Sequence, residues 1–280
     1  MVKINQQSVF PIGLGTWHMG DVPQKRAQEI QALRAGLDHG AKVIDTAEMY
    51  GEGNAERLVG EAIQPYRRKE LYLISKVYPW NASLEQLPIR LDNSLRRLGT
   101  DYLDMYLLHW RGNIPLAETV EALERAKQSG KIRAWGVSNF DLADMEELMR
   151  VTNGQNCQTN QVLYNLSERG IEFDLLPYMQ KRQLPLIAYS PIAQGDSLGG
   201  HLTEQRVLQE IAHQHQVDIF QVLLAWCLRD GQTLAIPQSS SVAHTISNIQ
   251  AGHLQLTEEE LALIDALYPA PTAKQPLAIL

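Results

Sequence analysis

Short apolar runs and amphipathic stretches alternate along nearly the whole of this chain. Val2, Ile4, Val9 and Ile12 alternate with polar residues around Gln6-Gln7-Ser8, which predicts a small hairpin leading into Ile12-Gly-Leu-Gly-Thr-Trp17. Apolar positions at helical spacing (Ala27, Ile30, Leu33, Leu37) then predict a helix ended by Gly40, and 41–45 reads as a strand. The pair of signals recurs. Helices are expected over 53–64, from Leu84 to Leu98 before Gly99, over 115–129, from Asp141 through Met149, and over 171–182, 204–215, 219–229 and 241–250. Strands are expected at 71–76, 102–108, 132–137, 158–162, 185–189 and 233–236. A last helix opens at Thr257-Glu-Glu-Glu260, a capping-box pattern, and the Pro- and Ala-rich tail after Pro269 reads as irregular.

Strand and helix alternating about eight times imply parallel strands with helical crossovers. An open doubly wound sheet and a closed barrel both satisfy that pattern. An open sheet that binds a dinucleotide should carry Gly-x-Gly-x-x-Gly where its first strand opens into a helix. Gly13-Leu-Gly15 runs instead into Met19-Gly20, with no helix opening at the glycines. The expectation is therefore an α/β fold, a (β/α)8 TIM barrel with an N-terminal β-hairpin and extra C-terminal helices; such a barrel takes ~250 residues. The chain has 280, and no linker, repeat or low-complexity segment divides it, so 1–280 reads as a single domain.

Polar chemistry gathers where the apolar runs end. Asp45 follows Val43-Ile44, with Tyr50 five residues on; Lys76 ends Leu71-Tyr-Leu-Ile-Ser-Lys76; His109 ends Leu103-Asp-Met-Tyr-Leu-Leu-His109. Parallel barrel strands bring their C-terminal ends to one face, so Asp45, Tyr50, Lys76 and His109 are expected to converge. A phenol alone, with a pKa near ~10, donates its proton slowly. A neighbouring ammonium lowers that pKa, and a carboxylate keeps a buried ammonium charged. With a histidine to orient a carbonyl oxygen, the set makes a general acid suited to reduction by an external hydride. Each residue alone has a plainer reading: Asp45 as a loop cap, Tyr50 as a half-buried aromatic, Lys76 as a snorkelling side chain, His109 as a core residue. Their matching positions favour the shared one.

Composition narrows the partners. With 44% hydrophobic residues a core is assured, and the net charge of −7 speaks against nucleic acid or an anionic membrane, both of which call for a basic face. A small anionic ligand remains compatible, since a helix N-terminus suffices to hold it. Cys157 and Cys227 match no metal spacing and read as buried free thiols. Few cysteines, no N-terminal apolar segment and no apolar run near ~18 residues make a cytoplasmic protein the expectation.

The motifs themselves carry a resemblance. Gly13-Leu-Gly-Thr-Trp17, Ile44-Asp-Thr-Ala-Glu-Met-Tyr-Gly51, Ile74-Ser-Lys76, Ser94-Leu-Arg-Arg-Leu98 with Asp101-Tyr-Leu-Asp104, Leu107-Leu-His109, Gly130-Lys-Ile-Arg133, Gly136-Val-Ser-Asn-Phe140, Asn160-Gln161 and Ala188-Tyr-Ser-Pro191 resemble the aldo-keto reductase family along nearly the whole chain. That resemblance implies a (β/α)8 barrel that reduces aldehydes and ketones with NADPH, a small-molecule carbonyl substrate and no metal. Its Asp-Tyr-Lys-His tetrad falls on Asp45, Tyr50, Lys76 and His109, with Tyr50 as proton donor, Lys76 lowering its pKa, Asp45 supporting Lys76 and His109 orienting substrate.

The resemblance also implies a cofactor site. Thr16, Trp17 and Asp45 lie beside the cofactor, while Ser138, Asn139 and Gln161 match positions that hydrogen-bond the nicotinamide carboxamide. Tyr189 matches the aromatic that stacks on the nicotinamide. Ser190, Pro191 and the loop Ile192–Gly200 match the segment over the pyrophosphate. Ile236, Gln238, Ser239, His244 and Asn248 fall around the adenosine. Here the chain departs from the family, which usually has Lys where Gln238 stands, Arg at His244 and Glu at Ser247. Loss of those charges implies a weakened preference for NADPH and useful activity with NADH.

Trp17, Trp80 and Trp110 lie just beyond strand ends and, with Tyr50 and His109, are expected to form the substrate pocket. Tyr78-Pro-Trp80 and His109-Trp-Arg111 are most similar to bacterial members that reduce small 2-oxoaldehydes such as methylglyoxal. The short tail after 269 implies an open pocket, and Arg111 is a candidate for a polar or acidic substrate. Two other readings compete: a cofactor-binding regulatory subunit of a membrane channel on the same fold, and a metal-dependent barrel hydrolase. The second calls for several His and carboxylate ligands at strand ends, where only His109 stands. A monomer is the expected state.

Overall fold

The computed structural model describes residues 1–198 and 200–280. Strands β1 (Val2–Ile4) and β2 (Gln7–Val9) pair antiparallel, with Val2 opposite Val9. Eight parallel strands follow in sequential order: β3 (Leu14–Gly15), β4 (Val43–Asp45), β5 (Tyr72–Val77), β6 (Leu103–Leu108), β7 (Ile132–Ser138), β8 (Asn160–Leu163), β9 (Leu186–Tyr189) and β10 (Thr233–Ala235). The sheet closes on itself. Gly13 N–H donates to Ala235 O at 2.8 Å, Ala235 N–H to Pro11 O at 2.9 Å and Gly15 N–H to Pro237 O at 3.0 Å. The two glycines belong to this seam: a Cβ on Gly15 would lie 2.6 Å from the Ile236 carbonyl oxygen, and one on Gly13 would lie 3.0 Å from Val43 Cβ. Their spacing thus serves barrel closure, not a phosphate.

Helices α1 (Arg26–Asp38), α2 (Asn54–Ile63), α3 (Gln86–Leu98), α4 (Leu116–Gln128), α5 (Leu142–Arg150) and α6 (Leu175–Lys181) form the first six crossovers. A short helical turn, α7 (Ala193–Asp196), precedes α8 (Arg206–His215) and α9 (Ile219–Cys227); α10 (Val242–Gln250) and α11 (Glu258–Leu267) complete the chain. The start of α6 is later than the pattern implied. A 3-10 turn occupies Gly170–Glu172, and the Asp174 side chain caps Leu175 N–H, which leaves Pro177 in the first turn, where its missing N–H costs nothing. Asp141, Asp218 and Thr257 each cap a following helix in a full capping box.

Two apolar layers result. Inside the barrel, Val43, Tyr72, Ile74, Met105, Leu107, Ala134, Ile187 and Leu234 pack with Val2, Ile4 and Val9, so the hairpin plugs one end. Outside it, Ile44, Leu73, Tyr106 and Leu108 pack against the helices. Strand side chains alternate in direction. Asp45 is therefore in phase with Val43, Lys76 with Tyr72 and Ile74, and His109 with Met105 and Leu107: all three point into the barrel at its C-terminal mouth.

Candidate active site

At that mouth the four tetrad residues meet. Lys76 Nζ donates to Asp45 Oδ1 at 2.5 Å, to the Thr46 carbonyl at 2.9 Å and to the Tyr50 hydroxyl oxygen at 3.0 Å. An ammonium has three hydrogens, and these three acceptors take them all. Because the phenol oxygen accepts from Lys76, its own hydrogen is free to be donated elsewhere. The His109 ring stands edge-on to that of Tyr50, with centroids 5.8 Å apart. Gln161 Nε2, from the strand on the opposite side of the barrel, donates to Asp45 Oδ2 at 2.7 Å.

The electrostatics follow from burial. For Lys76, desolvation works against the ammonium, but the attraction and hydrogen bonds of Asp45 and Tyr50 outweigh it and hold its pKa above the ordinary value. Burial is also the largest influence on Tyr50 and raises its phenol pKa, with Lys76 pulling the other way. The expected pull of Lys76 on the phenol is present, but desolvation exceeds it, so the net direction is upward. Burial, helped by the Lys76 charge, keeps the His109 pKa well below 6.5, so the imidazole is neutral. Its Nδ1 is buried without a protein partner.

A cleft of about 510 Å³ runs from this group along the barrel mouth. Thr16, Trp17, Asp45, Tyr50, His109, Trp110, Ser138, Asn139, Gln161, Tyr189, Ser190, Ile236, Gln238, Ser239, His244 and Asn248, all expected site residues, line it. Lys76 lies beneath it, fully buried. The amide-bearing residues are tied together: Ser138 Oγ donates to Gln161 O at 2.8 Å, Asn139 Nδ2 to His109 O at 3.1 Å and Tyr189 Oη to Asn139 Oδ1 at 2.9 Å. Asn139 has a left-handed backbone (φ 56°), which Asn tolerates better than most residues. Ser190, Ala193, Gln194 and Asp196 are also left-handed, so the loop after β9 is tightly wound; its Gly199 lies outside the described residues.

Several expectations change. Trp80 does not line the cleft: it is 61% exposed, stacked on Tyr78 and edge-on to Trp110, because the 3-10 turn Pro79–Asn81 carries it outward. Pro191 is likewise absent from the lining, where Ser190 and Ile192 stand. Arg111 is turned to Glu147 and to the carbonyls of Gly112 and Ile114. The tail does not leave the pocket open. Lys274 pairs with Asp174 at 3.4 Å, Leu277 packs on the outer core, and Ile279 and Leu280 reach the cleft wall.

Other lining residues had no sequence signal as site residues, among them His18, Met49, Asp218 and Phe220. Asp218 and Phe220 open α9, and the capping pattern Asp218-x-x-Gln221 was the one cue to that turn. Glu48 was also missed. It accepts from Tyr78 N–H at 2.7 Å and Asn81 Nδ2 at 3.0 Å, which fixes the aromatic turn.

The cleft suits a nicotinamide dinucleotide by its donor set. Amides and a half-buried Tyr189 ring stand at the end with the tetrad. Gln238, Ser239 and the region beside the α10 N-terminus, a natural anion site, stand at the other. Comparison with known proteins agrees. Residues 11–269 match the model of the aldo/keto reductase family. The chain is 50% identical to methylglyoxal reductase YeaE of Escherichia coli (strain K12), over 99% of this chain and 98% of the relative. It is 33% identical to glyoxal reductase of Bacillus subtilis (strain 168), over 95% and 92% of the two chains. The crystal structure of an aldo/keto reductase from Klebsiella pneumoniae in complex with NADP and acetate superposes with a TM-score of 0.98 at 51% identity, covering 100% of this chain and 99% of that one. Motif, barrel and cleft lead to one conclusion: this chain belongs to the aldo/keto reductase family.

Proposed function

We propose that the protein is an NADPH-dependent carbonyl reductase whose substrates are small, uncharged 2-oxoaldehydes, methylglyoxal among them, with Tyr50 as the proton donor. The observation that carries this reading is the fully buried Lys76 ammonium, which bonds Asp45 and the Tyr50 hydroxyl and leaves the phenol hydrogen free. Bound NADPH supplies the hydride. Tyr50 holds the proton that the carbonyl oxygen takes up, and Lys76 stabilises the phenolate left behind. Neutral His109 orients the carbonyl oxygen by hydrogen bonding. Ser138, Asn139 and Gln161 would hold the nicotinamide end, Tyr189 would offer its ring face as a stacking surface, and Gln238, Ser239 and the α10 N-terminus would receive the adenosine phosphate.

The substrate class follows from charge. Among the described residues, no Lys or Arg lines the cleft, and Trp17, Met49, Trp110, Ile279 and Leu280 are among its apolar walls. A carboxylate would meet no cation on the cleft wall, since the Lys76 ammonium beneath it is already paired with Asp45, whereas an uncharged dicarbonyl loses little on entry. The high identity to a methylglyoxal reductase supports the same choice. We also read the protein as a cytoplasmic monomer, in keeping with its two buried free thiols. Initial rates of NADPH oxidation test the function: kcat/KM with methylglyoxal should exceed that with pyruvate or a sugar acid. Equal or better use of the acids would sink the substrate assignment, and no turnover across a broad carbonyl panel would sink the reaction. Sedimentation of the pure protein checks the monomer.

A further inference from the structure

Asp45 is held from two sides. Its Oδ1 takes the Lys76 ammonium, and its Oδ2 takes Gln161 Nε2–H at 2.7 Å. Gln161 sits on β8 and Asp45 on β4, strands that face each other across the barrel, and both side chains are almost wholly buried. Barrel closure is made by backbone hydrogen bonds between neighbouring strands, in which this bridge takes no part. A carboxylate oxygen can only accept, so the Gln161 amide must turn its N–H toward Asp45. That fixes Oε1 as the acceptor for a donor in the cleft, and a carboxamide N–H is such a donor.

We infer that Gln161 is a positioning residue for the proton donor as well as a cofactor contact: it orients Asp45, and through Asp45 the Lys76 ammonium and the Tyr50 hydroxyl. The inference rests on the reading of Tyr50 as the acid. Its physical basis is the cost of an unsatisfied buried carboxylate oxygen. Without the Gln161 N–H, Oδ2 has no donor. The carboxyl then either rotates to share Lys76 or takes a proton, and in both cases the ammonium is drawn from Tyr50 or loses its counterion. Burial already pushes the Asp45 carboxyl up against the combined pull of Lys76 and Gln161. One side chain thus links the nicotinamide end of the cleft to the acid.

Gln161→Glu separates this role from simple cofactor binding. While protonated, the new carboxyl can still donate to Asp45 Oδ2; once ionised it cannot, and two carboxylates confront each other. The expected result is a fall in kcat for methylglyoxal, on the order of tenfold, across an added ionisation that wild type lacks. The Kd for NADPH, read from tryptophan quenching, should not rise in step. A residue that served the carboxamide alone would do the reverse, because the ionised carboxylate of this variant is a better acceptor than the amide: Kd would tighten with kcat flat, and that outcome overturns the inference. Gln161→Met, measured at saturating NADPH, guards against a misfolded Gln161→Glu protein. A kcat equal to wild type there also overturns the inference, whereas a loss of about tenfold in a variant that still unfolds cooperatively and is fully folded at the assay temperature supports it. Tyr50→Phe is run alongside; if it keeps wild-type turnover, the assignment of the acid itself fails, a result distinct from either Gln161 outcome.

Discussion

Lys76 Nζ stands 3.0 Å from the Tyr50 hydroxyl oxygen and spends its other two hydrogens on Asp45 and the Thr46 carbonyl. The direction of this bond decides where the phenol proton can go. Tyr50 accepts from the ammonium, so its own hydrogen points to a different acceptor. Tyr50→Phe keeps the ring but has no proton to give. Its kcat for methylglyoxal should fall by about 10²–10⁴, the usual worth of a general acid. The Kd for NADPH should stay within about threefold, since the phenol is not among the groups assigned to the cofactor. Stopped-flow turnover with fluorescence titration of the cofactor measures both.

Lys76 also holds the fold together at this point. Removing it leaves the Asp45 carboxylate buried with only Gln161 for support. Lys76→Met should therefore lose turnover and also about 3–5 kcal/mol of stability in urea unfolding, the cost of breaking a buried pair. Adding Asp45→Asn removes the stranded charge. The double variant should regain most of the stability and none of the activity, and a cycle of the four proteins in urea gives the coupling directly.

The pH dependence has a definite sign. Burial lifts the Tyr50 phenol above its ordinary pKa of ~10, and reduction requires the protonated form. In the reduction direction kcat/KM should thus stay flat from neutral pH up to ~10 and decline only beyond. His109 shifts the other way, held well below 6.5 first by burial and then by Lys76. No loss of activity should appear as the pH passes ~6.5. Stability behaves differently. The unfolded chain binds a proton on this imidazole at ~6.5 while the folded one does not, so the contribution of His109 is full above that value and is lost as the pH falls toward the folded pKa. Urea midpoints of wild type and His109→Gln between pH 7 and 5 should show a shallower decline in the variant.

The fold and the reacting group were legible in the sequence because both depend on phase. Val43 and Asp45, Ile74 and Lys76, Leu107 and His109 are two residues apart on strands, so a reading that placed the apolar partners inside also placed the polar ones there. Contacts made by turns and by the tail were not legible. The outward turn that exposes Trp80 is set by Glu48, more than thirty residues away in sequence. The passage of Ile279 and Leu280 to the cleft depends on Lys274 meeting Asp174 and on Leu277 finding the outer core. Neither has a periodicity to betray it. The net direction at Tyr50 has a related cause: spacing reveals that Lys76 is near and pulls the phenol down, but the depth of burial that outweighs it is a property of the closed barrel.

The adenosine end carries the last prediction. Gln238 and His244 line the cleft where the family usually offers Lys and Arg, and the carboxylate of Asp218 lines it too, bonded by the Ser247 hydroxyl. On the proposed placement, a 2′-phosphate here would meet the Gln238 amide, the His244 ring and the Asp218 carboxylate, with no Lys or Arg among the described lining residues. The α10 N-terminus and Ser239 would hold it with less energy than a cation would. Each missing charge-assisted bond corresponds to about 1.5–3 kcal/mol, or a factor of about 10–150 in affinity. Gln238→Lys should therefore tighten NADPH by at least about tenfold with little effect on NADH, and His244→Arg should act in the same direction. Asp218→Asn relieves repulsion without adding a cation, so its gain should be smaller and should shrink as salt is raised. Titration of all three variants with both cofactors decides the matter: an equal gain for NADH would place Gln238 and His244 away from the 2′-phosphate and return the wild-type preference to some other feature of the cleft.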